Sequence, residues 1–220
     1  EYLKKINNPK LIKATTRQIA IAIDGNEREL NRYHARFSDQ VTPWRVEGPF
    51  DTSYSLAIVN REFARGLALK GVDVHLHSTD GPGDFLPDTE FLKKNPDLLE
   101  MAHDSTDELK PRPAVISRLL YPPRVEDIQG AFNLLHLYGW EEGELPADWV
   151  SDFNCHLDGI TTMSKFVSKV LVDNGVSVPQ LPIGLGVDHW ERIVPNNDFV
   201  LPEETKGFIF LHVSSCFPRK

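Results

Sequence analysis

Between Trp44 and Gly175 the spacing of apolar side chains switches repeatedly between the period of a strand and the period of a helix. Trp44-Arg-Val-Glu-Gly-Pro-Phe50 predicts a short strand that breaks at Gly48-Pro49. Asp51-Thr-Ser-Tyr-Ser55 follows as polar punctuation with several candidate N-caps. Leu56, Val59, Phe63 and Leu67 then form a helical stripe, Arg61, Glu62 and Arg65 fall largely outside it, and Gly71 stands where a C′ residue belongs. Val72-Asp-Val-His-Leu-His77 predicts a second strand beside the first, which makes a βαβ unit and so the start of a parallel sheet.

Residues 79 to 113 are a polar excursion with prolines at 82, 87, 96, 111 and 113, and with a helix expected around Thr89 to Ala102. Two further strands are expected at Ala114–Tyr121 and Ala131–Tyr138, a helix from about Ala147 to Cys155, and a short strand at Leu157–Thr161. The next helix is capped by Ser164, carries the stripe Phe166, Val167, Val170 and Leu171, and stops at Gly175. Strands alternating with helices over this length predict an α/β fold with a Rossmann-like, doubly wound, mostly parallel sheet. Residues 1–40 are mostly polar and read as a leader or inter-domain connector, with helical periodicity in patches such as Leu30, Tyr33 and Phe37. Residues 41–190 form the expected domain and 191–207 a linker, and the apolar run Phe208 to Val213 looks like the beginning of another strand.

Composition narrows the function. A net charge of −8 across 220 residues argues against a general nucleic-acid binder, which needs a basic face for phosphates. No apolar run reaches the length of a membrane span, and Glu1-Tyr-Leu-Lys-Lys-Ile6 lacks the apolar core of a signal peptide, so the opening reads as a piece of something longer. Two cysteines and no glycosylation sequon make a reduced cytosol the expected compartment.

In such a sheet, chemistry belongs where strands break into loops at their carboxyl ends. Gly48-Pro-Phe-Asp-Thr-Ser-Tyr-Ser55 leads into a helix N-terminus whose unpaired amides suit a phosphate or a sugar hydroxyl, and the loop reads equally as a ligand cradle or an ordinary turn. The phosphate-loop and dinucleotide fingerprints are both absent, which weakens a dehydrogenase reading. Tyr138-Gly-Trp-Glu-Glu-Gly-Glu144 sets an indole beside carboxylates, a pairing that grips sugars, although the residues alone favour a solvated acidic loop with Trp140 buried. Pro182-Ile-Gly-Leu-Gly-Val-Asp188 reads as a hinge or turn. His136 is expected to be a satisfied core histidine, and His75 and His77 share one strand face without a third metal ligand.

Taken in order and spacing, "GPFDTSYSLAIVNREFARGLALKGVDVHLHS", "LDGITTMSKFVSKVLVDNGV" and "PIGLGVDHW" resemble the amino-terminal half of retaining glycosyltransferases of family 4, which have the GT-B architecture. The resemblance covers roughly residues 44 to 220 and implies one half of a GT-B fold, with 208–220 as the first strand and loop of a truncated donor domain. It implies transfer of a sugar from a nucleotide-diphosphate sugar to a glycan or lipid-linked glycan acceptor with retention. The expected setting is bacterial surface polysaccharide or O-antigen synthesis in the cytoplasm or at the cytosolic face of the inner membrane. By position it assigns Gly48, Asp51, Thr52, Ser53 and Tyr54 to the loop facing donor phosphates and acceptor, and Trp140 and Glu141 to sugar contacts. Lys220 becomes the diphosphate cation, and the neighbourhood of an arginine of the family pattern is held here by Ser214 and Ser215, so that either Arg219 substitutes for it or the donor is gripped differently. No cofactor or metal is implied beyond the donor itself, since helix N-termini and cationic side chains supply the positive charge. The implied partners are the remaining donor domain and, through Lys4, Lys5, Lys10, Lys13 and Arg17, a membrane surface. Two other classes stay open: a nucleotide-sugar epimerase of similar fold and a non-catalytic glycan-binding module.

Overall fold

The structure, a computed structural model, describes residues 43–52, 54–79, 87–102, 113–187, 190–191, 193–198, 200–201 and 207–210. The leader expected at 1–40, with its basic cluster, lies outside the described residues, as do Ser53, Arg219 and Lys220. One compact unit runs to Leu185 and a second comprises Gly186–Lys220.

Six strands form one sheet in the order β2-β1-β3-β4-β5-β6, every neighbouring pair parallel. They are β1 (Trp44–Glu47), β2 (Val74–His77), β3 (Val115–Arg118), β4 (Phe132–Tyr138), β5 (Gly159–Thr162) and β6 (Gln180–Pro182). The helices are α1 (Ser55–Leu69), α2 (Thr89–Lys93), α3 (Pro96–Met101), α4 (Ala147–His156) and α5 (Lys165–Asp173). The α/β Rossmann-like architecture is therefore as expected, and the sheet is parallel throughout. Strand β6 replaces part of what reads in sequence as a loop. Gln180-Leu-Pro182 is too short to show an alternation, and its pairing with β5 defines it.

Alternation across the pleat splits the core in two. Val46, Val74 and Leu76 face α1, α2 and α3, where they pack with Ala64, Phe63, Leu92 and Leu98. Ile116, Leu135 and Ile160 face α4 and α5, packing with Phe153, Val167, Val170 and Leu171. Helices on both faces are the doubly wound arrangement.

The way α1 sits differs from its sequence stripe. Its deepest residues are Ala57, Asn60, Arg61 and Ala64, while Leu56, Val59, Phe63 and Leu67 are only half-buried flanks. Small alanines at the centre let the helix lie close to the sheet, and the larger side chains splay to either side. Arg61, expected outside the stripe, is 5% exposed. Gly71 ends the helix with φ +77°, donating to the Ala68 carbonyl at 2.9 Å. The helix expected over 89–102 is two short helices, because Pro96 has no amide to continue α2 and starts α3 instead. In α5, Ser164 Oγ accepts from the Val167 amide at 3.2 Å, as a cap should, but Phe166 points outward and is 56% exposed. Helix α4 runs to His156, one residue past expectation.

In the second unit, Trp190 N donates to Val187 O at 2.9 Å and Ile193 N to Trp190 O at 3.1 Å. Phe208, Ile209 and Phe210 are exposed and form no strand, and the rest of the strand expected there lies outside the described residues.

Candidate functional site

Strand β1 is flanked by β2, which follows it, and by β3, which begins the opposite half of the sheet. The order of strands therefore reverses at β1/β3, and the crevice beyond their carboxyl ends is where such folds bind ligands. Three segments emerge at this end of the sheet: Gly48–Tyr54 after β1, Leu119–Pro122 after β3, and Gly139–Glu144 after β4.

The first two are fastened to each other. Gly48 has φ +136°, and a Cβ there would stand 2.2 Å from Leu119 O and 2.6 Å from Asn60 Nδ2. Gly48 N donates to His77 O and Leu119 N to Glu47 O, both at 3.0 Å. Asn60, from α1, donates Nδ2 to Pro49 O at 2.8 Å and to Leu119 O at 3.0 Å. Its remaining oxygen lies 2.8 Å from His136 Nε2. Because Asn60 Oδ1 can only accept, His136 carries its proton on Nε2. The imidazole stacks on Phe63 at 4.3 Å, is sealed from solvent, and leaves Nδ1 without a hydrogen bond. Burial drives its pKa down to about 3, an effect only softened by the Ser117 backbone, so the ring is neutral. His136 is thus a core residue, and it braces the switch point through Asn60.

Beyond Gly48, Arg61 reaches back from α1 and donates Nη1 to Phe50 O at 3.0 Å and Thr52 O at 2.7 Å, with its carbon 4.2 Å from the centre of the Phe91 ring. Burial and the neighbouring Arg65 lower its pKa, against the through-space pull of Glu62, Asp88 and Asp51. Thr52 is 3% exposed and its hydroxyl meets no partner. Asp51 is half-buried, and its carbonyl accepts from Asp88 N at 2.6 Å. Tyr54 takes the N-cap position of α1 in extended conformation and supplies no side-chain cap.

On the opposite face of the same edge, Glu47 and Arg118 stand in register as the last residues of their strands. Arg118 Nε and Nη2 donate to Glu47 Oε2 at 2.8 and 2.5 Å, and Nη1 donates to Asp127 Oδ1 at 2.5 Å and Arg124 O at 2.7 Å. Burial weakens this guanidinium as an acid-base group's charged form, yet Glu47 and Asp127 together raise its pKa. Arg118 is therefore engaged within the fold and is not a spare cation for the crevice.

The third segment begins at a register shift in β4, where Leu137 has φ +51° and donates its amide to Thr161 Oγ1 at 2.8 Å. A side chain rarely adopts this conformation, and here it turns the chain into the acidic loop. Trp140 is half-buried, donates Nε1 to Glu144 O at 2.9 Å, and meets Trp149 edge-on at 5.3 Å. Trp149 in turn meets the exposed Tyr121 ring at 6.2 Å. Glu141 is exposed. Strand β3 separates the Gly48 and Trp140 loops, roughly 10 Å at two strand spacings, and Tyr121 stands in the segment that follows β3.

Asn60, Arg61 and Trp149 are absent from the sequence-derived candidates. The spacing of small Ala57 and Ala64 around Asn60 was the available signal, since it marks a face too close to the sheet for large side chains. Among the described residues no three histidine, cysteine, aspartate or glutamate side chains group as a metal site, and no helix is long and apolar enough to cross a membrane. No family model matches the chain, and no curated protein or solved structure is significantly similar to it.

Proposed function

We propose that the first unit is the acceptor-side lobe of a retaining GT-B glycosyltransferase, transferring a sugar from a nucleotide-diphosphate sugar to a glycan or lipid-linked glycan. The observation that carries this reading is the switch point itself, where a 15-residue helix without a side-chain cap opens its amides toward the loop after β1. When the anomeric carbon leaves the diphosphate for an acceptor hydroxyl, negative charge grows on the departing phosphates, and such amides stabilise it without a metal. Trp140 and Glu141 are assigned to the sugar, the indole for an apolar ring face and the carboxylate for hydroxyls. Arg219 and Lys220 are assigned to the diphosphate from the opposing lobe, with catalysis requiring that lobe. Bacterial surface-polysaccharide synthesis on the cytosolic side belongs to the same reading.

A chain extended beyond Lys220 is screened with nucleotide sugars and glycan acceptors. The reading expects donor binding and transfer with retained anomeric configuration; a folded, extended protein that binds no nucleotide sugar refutes it. The run of rings Tyr121, Trp149 and Trp140 favours a second reading, a glycan-binding module, which the same screen recognises as glycan binding without transfer or hydrolysis.

A further inference from the structure

Tyr121 stands 69% exposed just beyond β3, its ring edge-on to Trp149 at 6.2 Å. Trp149 in turn lies 5.3 Å from Trp140. The planes of the two pairs meet at 85° and 74°, so consecutive rings turn a corner and do not line up as one flat platform. A flat platform suits the apolar face of a sugar ring. Steep aromatic walls suit a compact cation, which is drawn to the negative faces of the rings.

Charge on the neighbouring loop has the same preference. From Gly139 to Trp149 the chain carries Glu141, Glu142, Glu144 and Asp148, all exposed, and no lysine, arginine or histidine. This loop is held in shape by the fold. Trp140 Nε1 donates to Glu144 O at 2.9 Å, which brings the far side of the loop back to the indole. Asn174, at the end of α5, accepts from Leu145 N and donates Nδ2 to Gly143 O, both at 3.0 Å. At the start of the loop, Gly139 lies so close to Met163 that a Cβ would stand 2.8 Å from Sδ. The backbone of Glu141 to Glu144 is therefore set beside Trp140 before any ligand arrives, which lowers the ordering cost of binding.

We propose that the rings of Tyr121, Trp149 and Trp140, with the carboxylates of Glu141, Glu142 and Glu144, take a protonated amine borne by a sugar. The glycan met by this lobe is then an amino sugar whose nitrogen is not acylated. The inference rests on a glycan partner and adds the charge of that partner, which the transferase and glycan-binding readings leave open.

The probes are a glucosamine tetramer and its fully N-acetylated counterpart, titrated by calorimetry into the 220-residue chain at a pH where the free amines are protonated. The charged tetramer should bind at least about tenfold tighter than the acetylated one. A chain of net charge −8 attracts any polycation, so the decisive variants remove rings and keep every charge. Tyr121→Leu should weaken the charged tetramer roughly fivefold while Tyr121→Phe retains it, because the ring face and not the hydroxyl makes the contact. Trp149→Leu should weaken it further; if that variant fails to fold, the exposed Tyr121 still decides the matter. Glu142→Gln/Glu144→Gln should narrow the gap between the two tetramers. Equal affinities for the two tetramers overturn the amine and leave a glycan partner standing. Preference for the charged tetramer that Tyr121→Leu does not diminish also overturns the proposal, as general attraction to an acidic chain. Binding of neither tetramer overturns it together with the glycan-binding module, and the transferase then stands or falls on nucleotide-sugar binding by the extended chain.

Discussion

His136 should make the fold sensitive to mild acid, and the sign follows from its surroundings. In the unfolded chain the imidazole titrates near its ordinary 6.5, whereas burial holds it near 3 in the fold. Between those values the unfolded state binds a proton that the native state excludes, so stability is full above pH 6.5 and falls as the pH drops toward 3. The limiting slope is about 1.4 kcal/mol per pH unit, and at pH 5 the loss relative to neutral solution comes to roughly 2 kcal/mol. The structure offers the proton little compensation, because Asn60 Oδ1 already accepts from Nε2, Nδ1 has no hydrogen bond, and the Ser117 backbone offsets only part of the effect of burial. Urea unfolding of wild type and His136→Gln at pH 7, 6 and 5 isolates the effect, since glutamine retains an N–H donor but does not titrate. The variant begins less stable at pH 7, through lost stacking on Phe63, and the gap should narrow by about 2 kcal/mol on reaching pH 5. A difference between the two proteins that stays constant from pH 7 to pH 5 refutes a neutral, proton-excluding His136.

Three further substitutions test how the switch point is built. Gly48→Ala should cost about 3 kcal/mol or more, because the methyl meets Leu119 O at 2.2 Å in a backbone conformation unsuited to alanine; chemical denaturation measures it, and a loss under 1 kcal/mol contradicts the close approach. Glu47→Gln leaves Asp127 as the carboxylate on Arg118 and takes the carboxylate from Arg45, and should cost about 2 kcal/mol, with Glu47→Leu/Arg118→Met recovering part of the loss; a double variant no better than the single would argue against charge burial as the cause. Ser164→Ala removes the cap of α5 and should cost about 1 kcal/mol in the same assay, and an unchanged stability would contradict the cap.

Periodicity made the order of elements legible, because each strand and helix in a doubly wound sheet must bury a face of its own and writes that face into its spacing. Ser164 begins a helix and Gly71 and Gly175 follow helix ends for reasons that are local to a few residues, and so were readable in advance. The orientation of α1 was not. A helix lying close to a sheet buries its small residues deepest, so ranking side chains by hydrophobicity picked Leu56, Val59, Phe63 and Leu67 and passed over Ala57, Asn60, Arg61 and Ala64. Strand β6 lacked a pattern because three residues at a sheet edge need only backbone pairing.

The same geometry explains why candidates near the crevice divided into framework and free groups in a way that residue type did not foretell. Arg118 stands at a strand end beside the crevice, yet the register that brings Glu47 alongside it also consumes its charge. Arg61 falls outside the apolar stripe of its helix, yet helix-to-sheet closeness carries it under the turn, where it donates to the Phe50 and Thr52 carbonyls. Gly48, the most conspicuous candidate in sequence, is tied to Leu119 O and Asn60 so tightly that its missing side chain is already accounted for by the protein itself. What remains exposed to chemistry at this end of the sheet is therefore the outer part of the acidic loop, Glu141 with the half-buried Trp140, together with the Tyr121 ring beside Trp149, while Thr52 and Arg61 are closed into the framework.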